Sequence, residues 1–362
     1  MEVAAIIVAA IERKYFSVSY FNHPYLQLNS MMKLVKLYAH STSKINSVVI
    51  IRGFITYQGS SLDKESIKWK RCTDCRRDRS HFASVLYHGE VYAISTLSNI
   101  AAGTVEKFNP YLDQWHLVSR LPRPLHSVGA VVLQGKLYVL GGYDNSNNIS
   151  DCVYEYVNDT KEGEWVECPE LTLLQPRCKH AAVAFNGKIW IAGGSLQGGI
   201  EFTASVHIYD PQRKCWEIGP SMNVKRDYAN LLVVNNALYV VGGDVGNDGT
   251  QKVRTIEAYN EESREWEVVT AFKVRPNSTA HNYSVSHTYS PKDHRRGFST
   301  CAVNNSIYIF GGCSEDDYES NTCDSYDLIS NKWASDSFGY RPMPKIDTWG
   351  QAVTIPKSTL NW

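Results

Sequence analysis

"CKHAAVAFNGKIWIAGG", residues 178–194, reads as two strands joined by a tight turn and closed by a pair of glycines. Ala181 to Phe185 is a compact apolar run, Asn186-Gly187 suits a two-residue hairpin, and Ile189 to Ala192 is apolar again. Glycine weakens a strand, so Gly193 and Gly194 at a strand end mark a sharp bend or a close backbone approach.

The stretch recurs. "GKLYVLGG" ends at Gly142, "NALYVVGG" at Gly243 and "NSIYIFGG" at Gly312, while "GEVYAIST" puts Ser95 and Thr96 where the glycines would stand. The first members of the pairs lie at 95, 141, 193, 242 and 311, in steps of 46, 52, 49 and 69. A tryptophan follows each pair: Phe108, Tyr209, Tyr259 and Tyr326 precede Trp115, Trp216, Trp266 and Trp333 by seven positions, and Tyr156 precedes Trp165 by nine. An arginine stands sixteen positions before the first glycine position at Arg79, Arg177, Arg226 and Arg295, with Leu125 in its place before Gly141. Three landmarks in register exclude a chance pattern, and a period near fifty means a repeat architecture.

In these landmarks the chain resembles the kelch repeat family, in particular the propeller half of kelch-like proteins that elsewhere carry BTB and BACK regions. The resemblance runs over roughly residues 45–356 and implies an all-β, six-bladed kelch-type β-propeller behind a short N-terminal extension, residues 1–44. Trp69, ten residues before Arg79, marks a degenerate first blade, its strands in "NSVVIIRGFITYQG", with either Gly53 or Gly59 standing for the pair. "WGQAVTI" (349–355) is an inner strand without a blade of its own and is expected to close the ring by completing that first blade. Rings of short blades leave no long exposed edge, and the many Tyr and Trp are expected to pack blade against blade.

Composition excludes several function classes. The chain has 37 basic and 37 acidic residues, against the basic surplus of nucleic-acid binders. "VAAIIVAAI" (3–11) is too short to span a membrane and lacks a signal peptide's basic start, so a short packed helix is the expectation there. Nine irregularly spaced cysteines read as reduced thiols of a cytoplasmic protein. Cys72 and Cys75 form one C-x-x-C, yet His81 and His88 would lie at opposite ends of one strand, so no zinc site is expected. The extension is not expected to hold a BTB or BACK region.

Strand direction picks out one working face. In an antiparallel blade the end of strand two, the start of strand three and the next blade's start share one end. That end carries "YDNSNNIS", "SLQGGIEFT", "DVGNDGTQ" and "CSEDDYESN", whereas the other has only tight turns, and long loops carry function more often. The resemblance points to Tyr143, Ser195, Asp244 and Ser314 after the glycine positions, and to His126, Arg177, His180, Arg226, Tyr228, Arg295 and Arg296 around the inner-strand arginine, as residues that hold a partner peptide. His81 and Asp144 share that face. Several arginines in a bowl would suit an acidic or phosphorylated peptide. The competing role for each repeat arginine is to tie blades together through backbone carbonyls. The extra length before Arg295, with His281, His287 and His294, reads as a solvated loop.

The expected function is a non-enzymatic protein–protein interaction module, taking a protein or peptide on this face, in a ubiquitin-ligase adaptor or as an actin or cytoskeleton binder. The chain has no HExxH, GxSxG or Walker motif. No cofactor or metal is expected. A propeller enzyme, such as a sugar epimerase or an oxidase, is the remaining alternative.

Overall fold

The computed structural model describes residues 47–52, 55–60, 68–97, 101–146, 148–158, 163–197, 201–245, 251–253, 255–271, 297–312, 323–333 and 351–355. By contacts the chain divides between Lys44 and Ile45, and every described residue lies in the second unit. The extension 1–44, the loop bearing His281, His287 and His294, and three candidate site residues (Arg295, Arg296 and Ser314) lie outside the described residues.

The strands form successive antiparallel sheets. First come β1 (Ser47–Arg52), β2 (Ile55–Ser60) and β3 (Lys68–Arg71). Next are β4 (Ala83–Tyr87), β5 (Glu90–Ile94), β6 (Val105–Asn109) and β7 (Gln114–Val118), then β8 (Gly129–Leu133), β9 (Lys136–Leu140), β10 (Val153–Val157) and β11 (Glu164–Glu167). The fourth group is β12 (Ala181–Phe185) and β13 (Lys188–Ala192), a small hairpin β14 (Ser195–Leu196) and β15 (Glu201–Phe202), then β16 (Val206–Asp210) and β17 (Cys215–Gly219). The fifth repeats this plan with β18 (Asn230–Val234), β19 (Ala237–Val241), the hairpin β20 (Asp244–Val245) and β21 (Gln251–Lys252), β22 (Thr255–Asn260) and β23 (Glu265–Ala271). Last come β24 (Ser299–Val303), β25 (Ser306–Phe310), β26 (Cys323–Asp327), β27 (Lys332–Trp333) and β28 (Gln351–Ile355).

Among the described residues, pairing yields six four-stranded sheets and two small hairpins. The innermost strands touch in a closed cycle, β28 to β4, β8, β12, β18, β24 and back to β28, and they wall an axial cavity of about 470 Å³. This is an all-β propeller of the kelch type. The first sheet runs β28-β1-β2-β3, with Ser47 opposite Ile355 and Ile51 opposite Gln351, so its innermost strand comes from the other end of the chain. Gly59 stands opposite Trp69, the place a ring residue holds in the other sheets, which leaves the end of β1 as the counterpart of the glycine position.

The landmarks of the sequence now have physical roles. Each first glycine has positive φ (59° at Gly141, 66° at Gly193), and a Cβ there would sit 2.4 Å from the Arg177 carbonyl oxygen or 2.3 Å from that of Arg226. Those carbonyls start the next blade, and Gly142 and Gly194 donate their N–H groups to them at 2.9 and 2.8 Å. The pair is therefore where one blade's backbone presses on the next, a position only glycine enters freely. Ser95 keeps the same positive φ, 68°, and turns its hydroxyl to the Leu125 carbonyl.

The tryptophans link blades in the other direction. The indole N–H groups of Trp115, Trp165, Trp216 and Trp266 donate to the carbonyls of Thr73, Ser119, Leu171 and Pro220 in the preceding blade, at 2.9, 3.0, 3.0 and 2.9 Å. Each packs on the ring residue of its own blade, with centroids 5.0–5.5 Å apart.

Candidate functional site: the mouth of the axial cavity

Two residues past each arginine position the chain turns into the left-handed region: φ is 52° at His81, 51° at Ser127, 56° at Lys179, 48° at Tyr228 and 61° at Gly297. These residues also join the blades. Ser127 donates its N–H to the His81 carbonyl at 3.1 Å, Lys179 to Ser127 at 2.9 Å, and Tyr228 to Lys179 at 2.8 Å. Left-handed residues are costly for side-chain-bearing amino acids, so the hydrogen bonds sustain the conformation. The result is a backbone hoop around one end of the cavity, with His81, Ser127, Lys179 and Tyr228 all lining it.

Side chains then meet across the mouth. The rings of His81 and Tyr228, from the second and fifth blades, meet edge to face at 5.3 Å. Lys179 places its ammonium 5.2 Å from the Tyr228 centroid and 5.9 Å from that of Tyr143, and 3.4 Å from the Asp227 carboxylate. The loops after the glycines dock beside the hoop: His126 bridges Tyr143, Cys178 bridges Ser195, and Asp227 bridges Asp244. Asp144 accepts the N–H groups of Ser146 (2.9 Å) and Asn148 (2.8 Å), shaping the loop beside Tyr143.

Burial fixes the protonation states. Removal from water holds His81 down to about 4, with the neighbouring His126 and the Lys179 ammonium adding to it. The same cause lowers His126, and with Arg177 beside it takes His180 to about 3. All three imidazoles are neutral near pH 7. Desolvation raises the Asp227 carboxyl and the Tyr143 and Tyr228 phenols.

The expected site residues divide on this geometry. His81, His126, Tyr143, Asp144 and Tyr228 come together at the mouth. Arg177 and Arg226 do not: each is wholly buried, with 0% exposure. Arg177 donates to the Gly193 carbonyl (3.2 Å) and to the neutral His207 ring (3.1 Å), and Arg226 to the Gly242 carbonyl (2.8 Å) and the Glu257 carboxylate. A buried guanidinium needs partners within the fold, so these two brace their own blades and are out of reach of a partner protein. Ser195 is also fully buried and donates to Asp227 at 3.0 Å, while His180 is wedged between blades beside Gly129 and Gly141. Asp244 is buried, contributing backbone to its bridge. With Arg177 and Arg226 withdrawn, the expected bowl of guanidinium groups loses both of its described members.

Sequence reasoning missed Ser127, Lys179 and Asp227. Their signal is positional, one or two residues past each arginine or its substitute. Among the described residues no group of three His, Cys, Asp or Glu side chains is placed to hold a metal ion. Cys72 and Cys75 are buried thiols outside any disulfide, and burial pushes Cys75 up to about 12.

Comparison with known proteins places this geometry. A family profile described as the KLHDC2/KLHL20/DRC7 Kelch-repeats domain matches residues 100–289, and a Kelch motif matches 294–335. Kelch-like protein 23 of Mus musculus is 23% identical over 346 aligned residues, covering 83% of this chain and 60% of that protein. Alpha-scruin of Limulus polyphemus is 27% identical, covering 66% of this chain and 24% of its own length. Kelch-like protein 25 of Homo sapiens is 31% identical over 48% of this chain and 28% of that protein. The chain thus spans 60% or less of each of these relatives. A solved structure titled "Structure of YjhT" superposes with a TM-score of 0.62 at 16% identity, covering 80% of this chain and 93% of that one, a likeness of fold. With half of its length matched by that profile and its repeat landmarks accounted for, the chain belongs to the kelch repeat family.

Proposed function

We propose that this chain is a six-bladed, non-enzymatic recognition module that takes a protein segment on the loop face, at the mouth of its axial cavity. The observation that carries this reading is the hoop of His81, Ser127, Lys179 and Tyr228. Four successive blades contribute these residues in the same left-handed conformation, and the hoop gathers aromatic, cationic and hydrogen-bonding groups at one mouth. Such a mix on a pre-formed frame is what peptide-binding surfaces use, with Tyr143 and Tyr228 as apolar anchors. The opposite end has short turns, such as the two-residue Asn186-Gly187 between β12 and β13.

The likeness to kelch-like proteins supports substrate recognition for a ubiquitin ligase in the cytoplasm as the setting. No described helix is long and apolar enough to cross a membrane.

Site-specific photo-crosslinking tests the reading. A crosslinking residue in place of Asp144 or Tyr228 should capture a defined cytosolic protein, and one in place of Glu262, on the turn face, should not. Capture at Glu262 with none at the mouth overturns the assignment of the face.

A further inference from the structure

The ammonium of Lys179 sits in surroundings built as a receptor for a cation. Tyr143 and Tyr228 present their rings at 5.9 and 5.2 Å, within the range in which an aromatic face attracts positive charge. The Asp227 carboxylate lies 3.4 Å away and is buried. One of its oxygens, Oδ2, accepts from Ser195 at 3.0 Å, and the other, Oδ1, is buried with no hydrogen-bond partner among the described residues. A buried carboxylate with an unsatisfied oxygen has unused capacity for an N–H donor. Among the described residues around the mouth the charges are Asp144, Asp227 and Asp244 against Lys179 and Arg123, which approaches Asp144 at 3.8 Å.

Lys179 is less enclosed than the carboxylate it faces. Its side chain is 20% exposed, where that of Asp227 is 3% exposed. A lysine stem is flexible and keeps its ammonium wet easily, so it can leave the cage at little cost. The rings and the carboxylate stand on backbone held within their own blades by the His126–Tyr143 and Asp227–Asp244 bridges, and between blades by the bond from the Tyr228 N–H to the Lys179 carbonyl.

We infer that the cage formed by Tyr143, Tyr228 and Asp227 is a receptor for a lysine side chain of a bound protein segment, which Lys179 fills in the free protein. This rests on the reading of the loop face as the docking surface and replaces the acidic partner expected from the arginines. Binding exchanges one ammonium for another: Lys179 swings into water as the partner's lysine enters, so Asp227 keeps a counter-ion throughout. Self-occupancy weakens binding in the native chain, because the incoming lysine competes with one that is already tethered in place.

Calorimetric titration with two capped peptides, Gly-Gly-Lys-Gly-Gly and Gly-Gly-Glu-Gly-Gly, tests this on the full chain. Lys179→Ala should bind the lysine peptide at least about tenfold more tightly than the native protein does, and adding Asp227→Asn should remove the gain. In the native chain the lysine peptide should raise the rate of reductive methylation at Lys179, a readout that needs no variant. A folded Lys179→Ala that gains no affinity for the lysine peptide, or gains it for the glutamate peptide, overturns the cage, as does Lys179 labelling that the lysine peptide leaves unchanged. Crosslinked capture at Asp144, which is outside the cage, is independent of these results, so the cage can fail while the loop-face reading stands.

Discussion

At the scale of single residues, the repeat arginine is a bolt whose nut varies from blade to blade. Arg79 meets Glu106 at 2.9 Å with both side chains fully buried, Arg226 meets Glu257, and Arg177 meets the neutral imidazole of His207. The nut stands two positions before the ring residue every time. In the blade that has Leu125 for arginine, that position is Tyr154, and both are 0% exposed in one apolar cluster. The chain thus contains its own double substitution, charge pair for apolar pair. Breaking a buried pair on one side leaves an uncompensated charge and costs about 3–5 kcal/mol. Arg79→Leu should therefore lower stability by about that amount in a denaturant titration, and Glu106→Tyr added to it should recover part of the loss. A double variant less stable than the single one would show that the two positions are not coupled.

That coupling also explains what was legible in the sequence. Glycines, arginines and tryptophans repeat because each meets a demand that few other residue types meet at that place, so spacing alone exposed the blades. Whether an arginine faces a partner or the interior was not legible from the arginine, since both roles use the same donors. The carboxylates of Glu106 and Glu257 would have decided it. The hoop residues share only a backbone conformation, and His, Ser, Lys, Tyr and Gly have no chemistry in common, which hid Lys179.

Among elements, the tryptophan strands and the last strand carry the ring's integrity. Trp266 is buried, packs on Tyr259 at 5.5 Å and reaches back to the Pro220 carbonyl at 2.9 Å. Trp266→Ala removes both the packing and the link between blades, and should cost about 3–5 kcal/mol by denaturant titration. β28 supplies the inner edge of the first sheet, with Val353 and Ile355 buried against Val49 and Val91. A chain ending before residue 351 should show a large fall in melting temperature or aggregate, since an inner strand's hydrogen bonds would be left open. Melting like the full chain would mean that the seam is unnecessary for folding.

For the whole molecule, several imidazoles set an acid limit. His81 and His207 are held at about 4 and His180 at about 3, in each case chiefly by burial. The unfolded chain binds protons at these sites near pH 6.5, above the values in the fold. Stability from these neutral histidines is therefore complete above about pH 6.5 and declines as pH falls toward 4, because the unfolded state takes up protons first. Melting temperature measured from pH 7 to pH 4.5 should fall progressively, and His180→Gln should make the fall shallower. A flat profile over that range would mean that the imidazoles stay hydrated in the fold.

The seam has a mechanical consequence. Ser47 opens β1 and Ile355 closes β28, and the two are direct partners at the same end of one antiparallel ladder. A force pulling the two ends of the ring apart arrives at that single rung and then at the next, so the bonds are loaded one after another. The seam peels under tension instead of sharing the load in shear. A propeller closed in this way withstands heat through all its rungs together, yet opens under a pull that needs to break only one rung at a time.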